Sequence, residues 1–342
     1  MFAVIADYAM LEIIKVSKEK TYSFYKTGLK TVFNKDKKPA EGYHLLSQLL
    51  SSSLTSLGFK PLVPPQTPIK FPSPNDSEII YKVENLVPLR LGTNKRAYLW
   101  KASYLADKGS KKRKQDPKPC ILKHSHGDIQ VTTEIVTLQY LKHSSIPRLV
   151  ASGHFPEIGN AIVMEPVGIP IEEFKNDPAE KILKLAKEVN EALRYAHEKL
   201  MVHCDVSPKN IVVADGKAIL IDWGIAMDLG IYGITNWIGT SSFCSIPVLR
   251  LSVVKGSYVY QPRDDFESLF YSLLHLLSKK PLPWTKAKDI EALYNSKCTW
   301  MNQNWQHLLN SFELPKEIAN ELDSMHQRLF KDPQAPVDTL FL

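Results

Sequence analysis

An aspartate and an asparagine five residues apart carry the clearest chemical signal in the chain. They are Asp205 and Asn210, at positions 3 and 8 of the segment H-C-D-V-S-P-K-N over residues 203–210, and Asp222 follows after an apolar stretch. Carboxylate and amide oxygens are ligands that Mg²⁺ accepts, and a further carboxylate can orient and deprotonate an attacking hydroxyl. The set therefore predicts phosphoryl transfer, in which a protein mainly positions the reactants and neutralises charge.

A β-hairpin is predicted to bring two of these residues together. Two short apolar runs, residues 211–213 and 218–221, flank Asp215-Gly216. Asp-Gly between apolar runs is typical of a two-residue hairpin turn. Closing this hairpin would set Asn210 and Asp222 at neighbouring strand ends. An ordinary hairpin with polar turn residues is the alternative, and it leaves the matches elsewhere in the chain unexplained.

The composition is that of a globular protein. The chain has 342 residues, 44% of them hydrophobic and 23% charged, which is enough for a two-lobed catalytic domain and an appendage. No apolar run approaches the roughly 18 residues of a membrane span, and the start lacks the basic region of a secretory signal. Four cysteines without metal-type spacing favour free thiols in a reducing compartment and no zinc site. We therefore expect an intracellular protein.

One run of positive charge stands out, the segment K-K-R-K over Lys111–Lys114. Such a run is typical of a nuclear-import signal, of a patch for an anionic partner, or of a solvated loop tip. Because no aromatic residues interleave with it, it is weak evidence for nucleic-acid binding. We expect a cytoplasmic or nuclear location, and neither nucleic acid nor membrane as a partner.

Four segments are predicted along the chain. Residues 1–60 read as a small α/β extension, with short strands before residue 33 and a leucine-striped helix over Glu41–Leu57. This extension is interpreted either as the remnant of a larger upstream domain or as a small module. A proline-rich extended linker is predicted over residues 61–78. Strand signals dominate residues 79–168 and helix signals dominate residues 169–342, with the chemistry at their junction. Helices are predicted over residues 179–199, 264–277, 290–309 and 317–329.

These motifs resemble those of protein kinases. The segment 203–210 resembles the kinase catalytic loop, and D-W-G over residues 222–224 resembles its metal-binding motif. The resemblance implies that Asp205 is the catalytic base and that Asn210 and Asp222 bind Mg²⁺. It also implies an α+β, bilobed fold with a β-rich N-lobe, an α-rich C-lobe and ATP between them. The same loop pattern fits small-molecule phosphotransferases, whose metal-binding Asp is often followed by Trp.

The kinase resemblance extends to the nucleotide site. C-I-L-K over residues 120–123 resembles the strand whose lysine holds the ATP phosphates, and residues 133–141 resemble the helix whose glutamate pairs with it. This implies an ion pair between Lys123 and Glu134 that holds the ammonium against the triphosphate. The segment from Met164 resembles the hinge between lobes, with Met164 as gatekeeper and the backbone of Glu165 and Val167 binding adenine.

The phosphate loop keeps only part of the family pattern. L-G-T-N-K-R-A-Y-L over residues 91–99 aligns with G-x-G-x-x-G-x-V, so that Gly92 is the first glycine, Asn94 replaces the second, and Leu99 ends the motif. Asparagine tolerates left-handed backbone better than most residues do. A turn is therefore possible, but without the other two glycines the backbone should approach the phosphates less closely. For that reason we expect ATP to bind here with weak affinity.

The C-terminal half narrows the resemblance. Residues 239–247 and 263–271 resemble the peptide-binding segment and the buried central helix of the casein kinase one group. The closest resemblance is to the fungal-type protein kinase family, which is related to the kinase domains of crinkler-like proteins. It implies that Thr240 positions Asp205 and the incoming hydroxyl, and that Asp265 braces the catalytic loop through backbone amides. His203 would support the same region, a role compatible with that of an ordinary core histidine.

Several positions depart from the kinase pattern. Cys204 replaces the arginine that pairs with a phosphorylated activation loop, so loop phosphorylation should be unnecessary. Ser207 replaces a lysine that stabilises the transferring phosphoryl group, and Lys209 is predicted to take that role. The glutamate that closes the activation segment is replaced near Pro247, and its arginine partner is also missing. Losing both ends of a buried pair costs far less than stranding one.

The resemblance therefore implies a serine/threonine protein kinase that uses ATP and Mg²⁺ on protein substrates. The incomplete glycine loop and Cys204 motivate an alternative, a pseudokinase or scaffold with weak or no nucleotide turnover. A small-molecule phosphotransferase is the third hypothesis. It is disfavoured because such enzymes should carry neither the segment over residues 239–247 nor the helix over residues 263–271.

Overall fold

The chain divides into two compact units, residues 1–64 and residues 65–342. The computed structural model describes residues 2–6, 10–19, 21–26, 30–31, 65–73, 79–89, 97–107, 116–125, 129–229, 233–332 and 341. The helix predicted over Glu41–Leu57 and the basic run Lys111–Lys114 lie outside the described residues.

The first unit contains a four-stranded antiparallel sheet. Its strands are β1 (Phe2–Ala6), β2 (Met10–Glu19), β3 (Thr21–Lys26) and β4 (Lys30–Thr31). The strand β2 pairs with each of the other three, so that Ile14 lies opposite both Ala3 on β1 and Lys26 on β3. Strands therefore occupy the region in which the sequence predicted them.

The second unit opens with a six-stranded antiparallel sheet. The strands lie in the order β5-β6-β7-β8-β10-β9. They are β5 (Ile69–Pro72), β6 (Ile80–Pro88), β7 (Tyr98–Asp107), β8 (Lys118–Ser125), β9 (Arg148–Phe155) and β10 (Gly159–Glu165). One face of the sheet buries a small core that includes Trp100, Leu122 and Val163.

The edge strand β5 lies inside the range predicted as an extended linker, residues 61–78. Ile69 and Phe71 are buried while Lys70 and Pro72 are exposed, an alternation that fits a strand with one face on a core. The Phe71 and Phe155 rings meet edge to face, 4.8 Å between centroids, so the sheet curls until its two edges approach each other. The linker prediction was wrong for these residues, because it weighed the prolines above the alternation, and an edge strand tolerates proline.

One helix, α1 (Ile129–Tyr140), lies between β8 and β9. The second half of this unit is mainly helical, with α2 (Ala179–Glu198), α3 (Ile246–Leu249), α4 (Pro262–Leu277), α5 (Ile290–Asn302), α6 (Trp305–Asn310) and α7 (Lys316–His326). Single turns of 3₁₀ helix cover Ile171–Phe174, Pro208–Asn210, Trp223–Ile225, Arg250–Ser252 and Pro283–Lys286, and a π turn covers Gln327–Lys331. Among the described helices, none is long and apolar enough to cross a membrane.

Seven further strands are described in this unit, and they are short and form three small sheets. They are β11 (Ile169–Pro170), β12 (Met201–Val202), β13 (Ile211–Ala214), β14 (Lys217–Leu220), β15 (Met227–Asp228), β16 (Gly233–Ile234) and β17 (Tyr258–Val259). They pair as β11-β13-β14, β12-β15 and β16-β17.

The helix α4 forms the centre of the helical core. It is buried along nearly its whole length, including the polar side chains of Asp264, Asp265 and Glu267 near its start. Pro262 occupies its first turn, and the Asp264 carboxylate accepts a hydrogen bond of 2.7 Å from the Gln261 N–H. Both features are typical of a helix start, so local sequence determines where α4 begins.

Two predicted helices end earlier than expected. The helix predicted over residues 290–309 is divided into α5 and α6 at Gln303-Asn304, where both backbone N–H groups turn back to the Thr299 carbonyl. An asparagine side chain competes with the helical backbone, so Asn304 favours a turn. The helix predicted over residues 317–329 gives way to the π turn after His326.

The pH dependence of stability should report on His326. This ring stacks on Trp305 at 4.2 Å, and its Nε2 lies 2.7 Å from the Met301 carbonyl oxygen. Burial lowers the pKa of His326 from 6.5 to about 4. Between these values the unfolded chain binds a proton that the folded chain does not, so stability falls as pH falls. Urea unfolding from pH 7 to pH 4 should show a loss of about 2 kcal/mol from this residue.

His326→Gln, which keeps a donor for the Met301 carbonyl, should flatten this part of the curve. The control is His307→Gln at an exposed position on α6, which should leave the curve of the unmodified chain unchanged. Parallel curves for His326→Gln and the unmodified chain would contradict the assignment.

Candidate active site

The predicted hairpin holds two of the predicted site residues. Strands β13 and β14 pair through the turn at Asp215 and Gly216, whose φ angles of 51° and 75° are both left-handed. Left-handed values at both turn positions match the hairpin turn that Asp-Gly favours. Beyond the strands, the Ile221 N–H donates to the Asn210 carbonyl at 2.8 Å. Asn210 and Asp222 therefore lie side by side at the open end of the hairpin.

Lys123 joins three elements of the chain at one point. Its ammonium on β8 lies 2.6 Å from Glu134 Oε2 on α1 and 2.8 Å from Asp222 Oδ1 after β14. Lys123 and Glu134 are buried, whereas the Asp222 side chain is 48% exposed. The backbone N–H that follows Asp222 also donates to Glu134, at 3.3 Å. The β-rich and α-rich halves are thus linked through one cation.

The charges of this cluster are mutually dependent. Burial opposes the charge on Lys123, but the two carboxylates outweigh it and raise the pKa of the ammonium above its ordinary value. Burial also opposes the charge on Asp222, but Lys123 outweighs it and lowers the pKa of that carboxyl. The site therefore presents a fixed ammonium beside an ionised, half-exposed carboxylate.

Asp205 is held by hydrogen bonds from both sides. Its Oδ1 accepts from the Thr240 backbone N–H at 2.7 Å, and its Oδ2 accepts from Asn210 Nδ2 at 3.0 Å. Burial raises the pKa of Asp205, and the hydrogen bond from Thr240 opposes that rise. A carboxylate whose orientation is fixed and whose pKa is raised is suited to accept a proton near neutral pH.

Gly239 allows the close approach that places Thr240 against Asp205. Its φ is +88°, and a Cβ there would lie 2.5 Å from the Cys204 carbonyl oxygen. Only glycine combines this conformation with this contact at low cost. The backbone over residues 239–240 can therefore lie directly on the loop that carries Asp205.

Asp265 braces the same loop from below. Its carboxylate accepts hydrogen bonds from the backbone N–H groups of His203 and Cys204, at 2.8 and 3.0 Å. The His203 ring contacts the Ile221 carbonyl at 3.0 Å through Nε2, and its Nδ1 accepts from the Asp205 N–H at 3.2 Å. Both predicted supporting residues thus contact the loop in the way the resemblance implies.

One supporting residue was missed by sequence reasoning. His197 Nε2 lies 2.9 Å from Asp265 Oδ2. Burial opposes the charge of the Asp265 carboxylate, but the contact with His197 helps to outweigh burial, so the pKa of Asp265 is lowered. The signal was available, because His197 lies on the buried face of α2 shortly before the catalytic loop.

A cavity of about 400 Å³ opens beside the two aspartates. It is lined by Gln130, Asp205, Asp222, Ile225, Trp237, Ile238 and Gly239. Gln130 was not singled out from the sequence, although it precedes Glu134 by one helical turn and so shares its face of α1. Trp237 and Ile238 directly precede the Gly239-Thr240 pair, which was the available signal for them.

The remaining predicted nucleotide residues have different outcomes. Leu99 pairs with Lys123 across β7 and β8, so both side chains lie on one face of the sheet. Met164 is buried at the end of β10, opposite Ile121. The Glu165 side chain accepts from Tyr104 Oη at 2.7 Å and from Arg148 Nε at 2.7 Å, which anchors the start of the connection between the two halves. Gly92 and Asn94 lie outside the described residues.

The last two predicted residues, Lys209 and Val167, are located by their exposure and their place in the chain. Lys209 is exposed on the turn that leads to Asn210. Val167 is half-buried in the segment between β10 and β11. Neither position conflicts with the role that the resemblance implies.

The residues present fit a magnesium ion. The Asn210 amide nitrogen donates hydrogen bonds to the Asp205 carbonyl at 2.8 Å and to Asp205 Oδ2. The amide oxygen therefore remains to coordinate a cation. Asp222 supplies a carboxylate on the cavity wall. Among the described residues there is no group of three His, Cys, Asp or Glu side chains that could hold a metal. A set of one carboxylate and one amide suits Mg²⁺, which is often held by few protein ligands together with substrate phosphates.

Comparison with known proteins agrees with this geometry. A family model described as the protein kinase domain matches residues 93–335, which is more than half of the chain. The chain therefore belongs to the protein kinase family, and the two-lobed arrangement of a β-rich and a helical half is the kinase fold. The matched range begins after β5 and β6, so these two strands of the sheet lie outside it.

Individual relatives share short stretches with the chain. Mitogen-activated protein kinase kinase kinase 8 of Rattus norvegicus is 29% identical over 119 residues, 34% of this chain and 23% of that protein. The probable serine/threonine-protein kinase YbdM of Bacillus subtilis is 31% identical over 119 residues, 33% of this chain and 46% of that protein. Mitogen-activated protein kinase kinase kinase 17 of Arabidopsis thaliana is 28% identical over 112 residues, 32% and 28% respectively. These matches span less than half of each relative.

Gly239→Ala should weaken the contact between Thr240 and Asp205. The new Cβ must move away from the Cys204 carbonyl, and a non-glycine residue at positive φ adds about 1–3 kcal/mol of strain. We expect a drop of that size in the free energy of unfolding, measured with urea. Gly256→Ala is the control, because a Cβ at Gly256 meets nothing within 4 Å. Equal stability of the two variants would show that this close approach is not required.

Proposed function

We propose that the chain is a serine/threonine protein kinase that transfers the γ-phosphate of ATP to hydroxyl groups of protein substrates, with Mg²⁺. The observation that carries the proposal is the meeting of Lys123, Glu134 and Asp222 within 2.8 Å. Asp222 shares the wall of one cavity with Asp205, which gives a cation, a metal ligand and a base around one space.

Asp205 is assigned the role of the general base. The Thr240 N–H and the Asn210 amide hold its two carboxylate oxygens in fixed directions, so a substrate hydroxyl that enters the cavity meets an oriented acceptor. Proton transfer to a positioned side chain typically contributes 10²–10⁴-fold in rate, as an order of magnitude. Thr240, which the resemblance places beside the incoming hydroxyl, holds Asp205 through both its backbone N–H and its side chain.

Lys123 and Glu134 are assigned to the ATP phosphates. The contact with Glu134 fixes a flexible four-carbon side chain in one position, which lowers the cost of ordering it when ATP binds. Gly92, Asn94 and Leu99 are assigned to the phosphate loop, and Met164 and the backbone of Glu165 and Val167 to the adenine side.

Asn210 and Asp222 are assigned to the metal. When bound, Mg²⁺ neutralises charge on the phosphate oxygens and orients them. Lys209 is assigned the neutralisation of charge that develops during transfer, and its exposed position on the catalytic loop is consistent with contact to a bound substrate.

The acceptor class and the subfamily are part of the proposal. The name of the Bacillus relative includes serine/threonine-protein kinase, which supports a hydroxyl acceptor of this kind. The segment over residues 239–247 supports a relation to the casein kinase one group and to the fungal-type kinases. Because Cys204 is buried and carries no positive charge, we further propose that activity does not depend on phosphorylation of the activation loop.

Asp205→Asn should abolish phosphate transfer and keep nucleotide binding. The substitution preserves shape but removes the proton acceptor, so the rate should fall at least ~10²-fold. The measurement is transfer of labelled phosphate from ATP to a mixed protein substrate, with nucleotide binding followed by thermal shift. An active Asp205→Asn variant would remove Asp205 from this role. Wild-type transfer to small molecules alone would favour a small-molecule phosphotransferase.

Lys123→Met should remove the stabilisation that ATP gives to the protein. A bound ligand stabilises the folded chain by mass action, by about 2.7 kcal/mol when its concentration is 100 times Kd, and so raises the melting temperature. We expect the wild-type chain to be stabilised by ATP only with Mg²⁺, and the variant not to respond. Lys82→Met is the control, since Lys82 pairs with Asp107 on the sheet surface, 2.7 Å away. No response of the wild-type chain at saturating ATP would favour a scaffold.

A further inference from the structure

A second lysine is buried away from the site described above. Lys297 on α5 is 0% exposed, and it occupies the middle of the stripe formed by Leu293, Lys297 and Met301 at four-residue spacing. Lysine is almost never fully buried unless its amine has partners. The partners of this amine therefore indicate what the residue does.

The Lys297 amine holds the backbone of the segment that follows Thr240. Its Nζ donates to the Cys244 carbonyl at 2.5 Å and reaches the Ser241 carbonyl at 3.5 Å. The amine also lies over the Tyr271 ring, 3.9 Å from its centroid. Two carbonyl groups and an aromatic face are all favourable partners for an N–H donor that carries positive charge.

Side chains of neighbouring elements hold the rest of the same segment. Trp284 Nε1 donates to the Ser242 carbonyl at 3.0 Å, and the Ser245 hydroxyl donates to Asp264 at 2.6 Å. The Ile246 N–H donates to Glu267 at 2.7 Å. The segment from Ser241 to Ile246 is thus fixed by buried groups of α4, α5 and the turn between them.

The hold on the carbonyls does not depend on the charge of Lys297. Burial lowers the pKa of its amine to about 7, although Cys244 and Glu267 oppose the shift. A neutral amine still has N–H groups to donate, so the contacts are available on both sides of neutral pH. Apolar residues of similar size often replace buried polar clusters without loss of stability. A polar group at this position is therefore better explained by placement of the segment than by stability.

Placement of this segment matters because of what lies at its start. The Thr240 N–H bonds to Asp205, and Gly239 lies on the cavity wall, so the segment leaves the base and runs directly onto the Lys297 anchor. We infer that Lys297 is a positioning residue, whose amine fixes residues 241–246 as part of the surface on which the acceptor polypeptide binds next to Asp205. The inference rests on the proposed protein kinase function.

Lys297→Met tests this inference. Methionine has an unbranched apolar side chain one heavy atom shorter than that of lysine and removes the donor. We expect kcat/KM for a protein acceptor to fall about 10–100-fold, as expected for a displaced binding surface, mainly through KM. The Mg²⁺-dependent thermal shift by ATP should stay as in the wild type, and amide hydrogen exchange should accelerate in residues 241–246. Lys286→Met is the control, because Lys286 is an exposed lysine on the turn that carries Trp284.

Each outcome decides the proposal. Faster exchange in residues 241–246 with a raised KM and unchanged ATP binding supports it. Unchanged exchange, or an equal loss of ATP binding, overturns it. If Lys297→Met does not fold, Lys297→Gln is measured in the same assays, and failure of both variants to fold makes Lys297 a residue of the folding core, which also overturns it. A wild-type chain that transfers no phosphate would contradict the kinase proposal, while hydrogen exchange would still test the anchor.

Discussion

The site depends on one buried ammonium shared by two carboxylates. Lys123 lies within 2.8 Å of both Glu134 and Asp222, which come from a helix and from the end of a hairpin. Breaking a buried pair by removing one partner typically costs about 3–5 kcal/mol, because a charge is left without compensation. The relative position of the sheet, α1 and the hairpin is therefore coupled to the ionisation of one cluster, and any change that separates the elements also disrupts this cluster.

The second constraint is that the loop carrying Asp205 has no regular structure before the 3₁₀ turn at Pro208–Asn210. A loop cannot satisfy its backbone groups internally, so they must find partners elsewhere. Asp265 accepts from the N–H groups of His203 and Cys204, and the Asn210 amide donates to the Asp205 carbonyl. Cys204 has a φ of 69°, an uncommon value outside glycine. The Asp265 carboxylate on the buried helix α4 and the Asn210 amide thus replace the order that a helix or strand would have provided.

The sequence predicted what is local and missed what is not. The Asp215-Gly216 turn specifies its hairpin through backbone preferences, so local sequence was sufficient to place Asn210 and Asp222 next to each other. The order of Lys123 and Glu134 predicted their contact only through the family resemblance. The prolines masked the alternation that marks β5, and periodicity did not show the break at residues 303–304. It reports which side chains are buried, but it does not name their partners, which is why His197 and Gln130 were missed.

Lys123 and Lys297 show how one side chain serves two purposes in the same fold. Lys123 faces two carboxylates, which raise its pKa and keep it charged. Lys297 faces mainly carbonyls and an aromatic ring, and burial lowers its pKa to about 7, so that it acts as a hydrogen-bond donor more than as a charge. Residue type alone does not separate these two lysines, and only the family resemblance singled out Lys123. The difference arises from tertiary neighbours, Glu134 and Asp222 for one and the Ser241–Cys244 backbone for the other, so charge placement in this fold is decided by packing and not by composition.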